Sequence, residues 1–339
     1  MSLARRTLPV VLVSVGLVVL AMLAYFLIDV FLLIFAGTLL AIMLRTPADA
    51  LAARTRLSET WALVVVIVLL IVLLAGTSWL FGHTLVDQMT KLAQRVPEIA
   101  GQVRESLADY GWLFGSIDPA GWLSNPGGFI GRGISVLATT FGVIANLVVV
   151  FFTGIFLAAQ PRLYLDGLLA LVPTNREERV AEVLDATAQN LKRWLFGQLC
   201  LMALIGVITG VGLWLLGMPY AFALAVVAGL LEFIPYVGPI LSAVPAVLVA
   251  VAEDPQLAIY VTLLYVGIQF FEGNVIQPLV QNKTVFLPPA TILIAQLMLG
   301  ILVGALGVML ATPLAATLLV WTRMLYVEDA LGKRPEASG

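Results

Sequence analysis

A single carboxyl, Glu232, stands in the stretch LLEFIPYVGPILSAVPA at residues 230–246, where Pro235, Gly238, Pro239 and Pro245 interrupt one of the most apolar regions of the chain. Proline removes a backbone donor and clashes with the preceding turn, and in hydrocarbon a freed amide or carbonyl is costly unless protein or water satisfies it. The helix must therefore break here, against protein or water, as helices do along transport paths. Glu232 can carry a proton or cation or accept a hydrogen bond from a polar substrate; the plainer alternative is that it ends a helix near water. Glu272, Asn274 and Gln277, ahead of Pro278, form a second polar group that either lines the same path or is the solvated end of a helix. Gln269 and Gln296 are the remaining polar side chains in mid-span, and unwound backbone near Gly238 and Gly307 offers further carbonyls and amides.

Composition says what kind of protein holds these residues. Of 339 residues, 61% are hydrophobic and 11% charged, and the mean hydropathy is +1.05. A globular chain carries roughly 25% charged residues; this one reads as an integral membrane protein. The net charge of -2 and the lack of any basic block argue against a nucleic-acid partner. With one histidine, His83, one cysteine, Cys200, and no HExxH, GxSxG or GxxxxGK[ST] sequence, no metal site, nucleophile elbow or phosphate loop is written. We expect no cofactor, no catalytic residue and no ATP-driven chemistry. His83 reads as an interfacial residue at a membrane exit and Cys200 as an inert core residue.

The elements that must position the polar groups follow from the apolar runs. Residues 1–60 read as an N-terminal pair of apolar segments, 8–28 and 30–44, parted only by Asp29 and forming a tight helical hairpin or one long bent element. Arg5 and Arg6 before them and Arg45, Arg54 and Arg56 after place both flanks in the cytoplasm, so the pair goes out and back. Residues 61–160 hold two spans with a far-side insertion at 83–133. Its apolar residues, among them Leu85, Met89, Leu92, Val96 and Ile99, recur in steps of three and four, predicting an amphipathic helix bent at Pro97 that lies on the membrane or against a neighbouring subunit. Residues 161–193 predict a cytoplasmic amphipathic helix with a Thr174–Glu177 capping box. Residues 194–325 form the transport region and 326–339 a cytoplasmic tail.

Within that region, the apolar stretches 219–252 and 291–322 have 34 and 32 residues by count along the chain. One span needs about 20 residues and two need about 40 plus a turn. Each is also interrupted near its middle, at Pro235 to Pro239 and at Gly300, Gly304 and Gly307, and the segments 237–245 and 306–313 share a glycine, an apolar stretch and a proline ending at Pro313. Two opposed re-entrant hairpins fit, the first entering from outside and the second from the cytoplasm. The expected fold is an all-α polytopic membrane protein with about six spanning helices plus these two hairpins.

The segments FIPYVGP at Phe233 to Pro239, EGNVIQPLV at Glu272 to Val280 and LATPLAA at Leu310 to Ala316 resemble the autoinducer-2 exporter family of bacterial inner-membrane proteins, and the likeness runs over nearly the whole chain. The resemblance implies eight membrane elements including two hairpins, a homopentamer in membrane lipid, and elevator-like transport; the flanking positive charges place both termini in the cytoplasm. It implies export of autoinducer-2 or a similar small polar solute, or else sodium or lithium/proton antiport; a non-transporting membrane scaffold is the remaining alternative. The residues it singles out are Glu232, Pro235, Gly238, Pro239, Asn274, Pro278 and Pro313. Many relatives carry a Gly-Leu-His-Pro-like segment where this chain has Phe286-Leu-Pro-Pro289, a departure that bears on the substrate.

Overall fold

The computed structural model describes residues 3–108, 140–276 and 287–333, and the described residues are helical with no strand. Ten helices follow in order: α1 (Leu3–Arg54), α2 (Glu59–Ala108), α3 (Thr140–Ala159), α4 (Pro161–Leu169), α5 (Glu177–Leu215), α6 (Ala221–Leu231), α7 (Val237–Glu253), α8 (Pro255–Phe271), α9 (Pro289–Val303) and α10 (Ala305–Trp321). Among the described residues five helices are long and apolar enough to cross a membrane, or six if α3 and α4, which meet at an 85° bend, are counted together. The chain is a multi-pass membrane protein.

Several expected boundaries dissolve into longer helices. The N-terminal hairpin is a single helix: α1 runs unbroken through Asp29 for 52 residues, about 78 Å. Asp29 is a weak helix former but carries no backbone penalty of the proline kind, so one acid between apolar runs does not turn the chain. The out-and-back reading of residues 1–60 is thereby replaced. The far-side insertion likewise begins as a direct continuation of α2, which passes through Pro97 and reaches Ala108; its remainder, 109–139, lies outside the described residues. Leu92 on that extension does not lie on a membrane surface, because it is buried in the same core as Leu213, Leu224, Ala246 and Tyr265. Gln88 Oε1 accepts from the Ala223 backbone N–H at 3.0 Å, meeting a donor that the first turn of α6 leaves free.

The capping box does not form. Arg176 is the N-cap of α5, held by its N–H to Pro173 O at 2.8 Å, which leaves Thr174 two residues too early. From there α5 runs 39 residues without interruption, so the amphipathic helix expected before residue 193 and the next span are one element. Cys200 is exposed on it. An apolar run in a membrane protein does not distinguish a core face from a lipid face, since both solvents are apolar.

Two helix pairs occupy the apolar stretches of intermediate length. In the first, α6 and α7 are joined by a turn at 232–236, and in the second α9 and α10 meet at Gly304, whose φ of 78° suits glycine. Helices α6, α7 and α9 have 11, 17 and 15 residues, too short for a span of about 20. α10 continues through a wider π turn to Ala330, and the resulting 26 residues are long enough to cross. The α6–α7 pair packs on α5 where Gly206 meets Gly229, a Cβ on Gly229 falling 2.9 Å from Met202 O. The α9–α10 turn packs through Val303, Leu306 and Leu310 against Leu32 and Leu39 of α1 and Leu191 of α5. Arg45 joins α1, α2 and α3 through Asp49, Glu59 and the Ala158 carbonyl.

Candidate functional site

The turn at 232–236 forms because Pro235 denies the helix a donor and Tyr236 takes φ 65°, reversing the chain. Ile234 N–H reaches Leu231 O at 2.9 Å and Gly238 N–H reaches Ile234 O at 2.9 Å, so the reversal is compact. Gly238 is what permits it: a Cβ there would fall on the Leu231 carbonyl, 2.6 Å from its carbon. Pro239 is buried beside it. The break thus sits against protein, with Glu232, Pro235, Gly238 and Pro239 in one turn.

Two carbonyls of this turn are met by glutamine side chains from other elements. Gln198 of α5 donates Nε2 to Glu232 O, and Gln296 of α9 donates Nε2 to Pro235 O at 2.9 Å. Each amide takes over an acceptor that a continuous helix would have satisfied within itself. Through Gln296 the middle of α9 meets the first break, and Tyr236 extends the contact into a cluster with Leu287, Ile292 and Ala316. The Gly304 turn itself packs on α1.

Glu232 is 1% exposed and Glu272 5%, and the two buried acids are electrostatic neighbours. Glu272 begins the π turn Glu272–Ile276 that ends α8; the widened turn carries its side chain inward, and Gln269 Nε2 donates to Glu272 Oε2 at 2.9 Å. Ser242 Oγ donates to Pro239 O at 3.0 Å, and Tyr265 Oη lies 3.4 Å from Ser242 O. Among the described residues the buried polar set contains two carboxylic acids and no lysine, arginine or histidine. Such a site suits protons, cations and donor-bearing solutes.

The remaining residues singled out by sequence fall differently. Asn274 is exposed and turns its Nδ2 back to Phe270 O at 2.8 Å. Gly307 and Pro313 are buried in α10; Gly307 lets α10 approach Leu299, whose carbonyl carbon would lie 2.8 Å from an added Cβ. Gln277 and Pro278 lie outside the described residues. Sequence reasoning passed over Gln198, Ser242 and Tyr265. Gln198 had a legible signal, a lone amide inside an apolar run four residues after Trp194.

A family model described as AI-2E family transporter matches residues 15–326, most of the chain. The chain belongs to the AI-2E transporter family. Among curated relatives, it is 27% identical to "Putative transport protein YueF" of Bacillus subtilis (strain 168) over 283 residues, 77% of this chain and 75% of the relative. A second from that strain, YrrI of the same description, is 33% identical over 150 residues, 44% of this chain and 42% of the relative. A third from Thermotoga maritima is 26% identical over 231 residues, 65% and 69%. The YrrI match spans less than half the length of either protein. In this AI-2E chain all three family-like segments border the site: FIPYVGP is its turn, EGNVI supplies Glu272 and LATP lies on α10.

Proposed function

We propose that the protein is an ATP-independent secondary transporter of a bacterial inner membrane, exporting a small polar solute such as autoinducer-2 by an elevator-like movement. The observation that carries this reading is the buried carboxyl of Glu232 at a helix break whose backbone carbonyls are met by side chains from α5 and α9. An ionisable group at that depth costs stability and persists where a transported ligand or proton uses it. In this reading α6–α7 and α9–α10 are re-entrant hairpins of opposite entry, Glu232, Pro235, Gly238, Pro239, Glu272, Asn274, Gln277, Gly307 and Pro313 contribute to the path, and the protein assembles as a homopentamer with its C-terminal end in the cytoplasm. Exchange of labelled autoinducer-2 in proteoliposomes, with and without sodium or proton gradients, tests it. Absence of gradient-stimulated flux refutes it.

A sodium or lithium/proton antiporter is the second reading, favoured by the apposed Glu232 and Glu272 carboxyls with no buried cation among the described residues. It predicts that adding sodium to acid-loaded vesicles alkalinises the lumen and that Glu232→Gln abolishes the response. Solute efflux that survives Glu232→Gln unchanged counts against obligatory coupling through that acid in either reading. A scaffold without transport predicts instead that replacing Gly238 and Pro239 leaves the cellular phenotype intact.

A further inference from the structure

Threonines inside apolar helices satisfy their hydroxyls by turning back on the carbonyl four residues earlier. Here Thr38 does so on Ile34, Thr46 on Ile42, Thr187 on Val183, Thr262 on Ala258 and Thr317 on Pro313. Thr312 does not: it is 2% exposed and its Oγ1 has no partner. Its level in the second helix pair gives the reason weight. A Cβ on Gly300 would touch Val308, and Ile292 shares a core cluster with Ala316, so the antiparallel register sets Thr312 level with Gln296.

Gln296 is 3% exposed. Its Nε2 is committed to Pro235 O, yet its Oε1 is unpartnered, as is Oε2 of Glu232 three residues before Pro235. Three buried oxygens therefore lack a partner: one in the 232–236 turn, one on the α9 side chain bonded to that turn, and one level with it on α10. Thr209 shares the unpartnered hydroxyl but lies three turns along α5 from Gln198, away from this group. A buried acceptor left unmet costs about 1–3 kcal/mol, and three together call for a ligand that supplies what they lack.

Resting on the transport reading, we infer that Glu232 Oε2, Gln296 Oε1 and Thr312 Oγ1 are the ligand-contacting oxygens of the site, and that they select a small non-anionic ligand presenting several O–H or N–H donors. Anions are rejected because the buried polar set among the described residues includes no basic side chain. The Gln296 amide has a second task, since its hold on Pro235 O couples α9 to the α6–α7 turn that carries Glu232.

Trp194 reports on this turn, its ring lying edge-on to Phe233 with centroids 5.8 Å apart. The test titrates the full chain in nanodiscs with erythritol, ammonium chloride and choline acetate, following the emission that Trp194→Phe removes. We expect a saturable response to erythritol, marking a neutral polyol site, or to ammonium, marking a cationic one, and none to choline acetate. Thr312→Val and Gln296→Leu should each weaken the responding probe about tenfold. Thr312→Val is nearly isosteric and decides the matter if Gln296→Leu does not fold. No saturable response to either donor, a response to acetate, or unchanged affinity in Thr312→Val overturns the inference. Vesicle flux separates the two levels: wild-type transport with an unaltered KM in Thr312→Val sinks these contacts alone, whereas a wild type without flux sinks the transport reading.

Discussion

Replacing Gly238 by alanine is the sharpest physical test of the break. The added methyl would sit on the Leu231 carbonyl, 2.6 Å from its carbon, against an ordinary carbon–carbon separation of about 3.5–4.0 Å. The obstacle is backbone, which cannot rotate away as a side chain can, so the two arms of the turn must separate by about 1 Å. That separation strains or breaks the Gly238 N–H to Ile234 O bond and the neighbouring Val237 N–H to Pro235 O bond, 2.9 and 2.8 Å. Overpacking costs about 1–3 kcal/mol and each lost hydrogen bond adds about 1 kcal/mol, for a total on the order of 2–5 kcal/mol. Thermal unfolding of purified protein in detergent measures the loss, with Gly76→Ala as the control. Gly76 has nothing within 4 Å of an added Cβ and lies inside α2, where alanine is favoured by about 1 kcal/mol. If Gly238→Ala unfolds at the same temperature as Gly76→Ala, the close approach that defines the turn is not present and the account of the site fails with it.

Other expectations follow from the packing. Leu92→Ala, 6% exposed in the core of α6 to α8, should cost about 2–4 kcal/mol, measured in the same unfolding assay; a neutral result would detach the α2 extension from that core. Gln198→Leu should strand the Glu232 carbonyl and destabilise by about 1–3 kcal/mol, with greater loss than at Gln189, whose exposed side chain meets only Asp185. Arg179 ties the start of α5 to Glu182, Glu328, Asp329 and the Met324 carbonyl; Arg179→Ala should cost on the order of 1 kcal/mol at low salt and less at high salt, because such pairs are screened. In a Cys200→Ser background, maleimide labelling of Asp254→Cys from outside and Lys283→Cys from inside should hold, and the reverse pattern would overturn the re-entrant reading of the two helix pairs.

Much of this protein was legible before any coordinates. The apolar runs determine a helical membrane protein, because lipid leaves each backbone group to find its partner within the chain. Pro235 and Gly238 determine a break beside Glu232, because removing a donor and a Cβ acts on the local backbone whatever surrounds it. The second break near Gly304 was legible for the same reason. Sequence failed where the signal was not local. Asp29 and the start of the insertion at His83 looked like boundaries but sit inside continuous helices, since packing along a long helix outweighs a single unfavourable residue. Cys200 looked like core because apolar patterning cannot tell a neighbouring helix from lipid.

The tertiary structure alone decided who meets the break. Gln198 arrives from 34 residues away and Gln296 from 61, and Glu272 reaches Glu232 through a π turn that no periodicity announces. Thr312 gained its place only from the register of α9 on α10. Those distances along the chain are set by helix packing and crossing, which depend on the shapes of whole faces. The sequence therefore determined that an acid stands at a broken helix, and only the fold decided which oxygens and amides surround it.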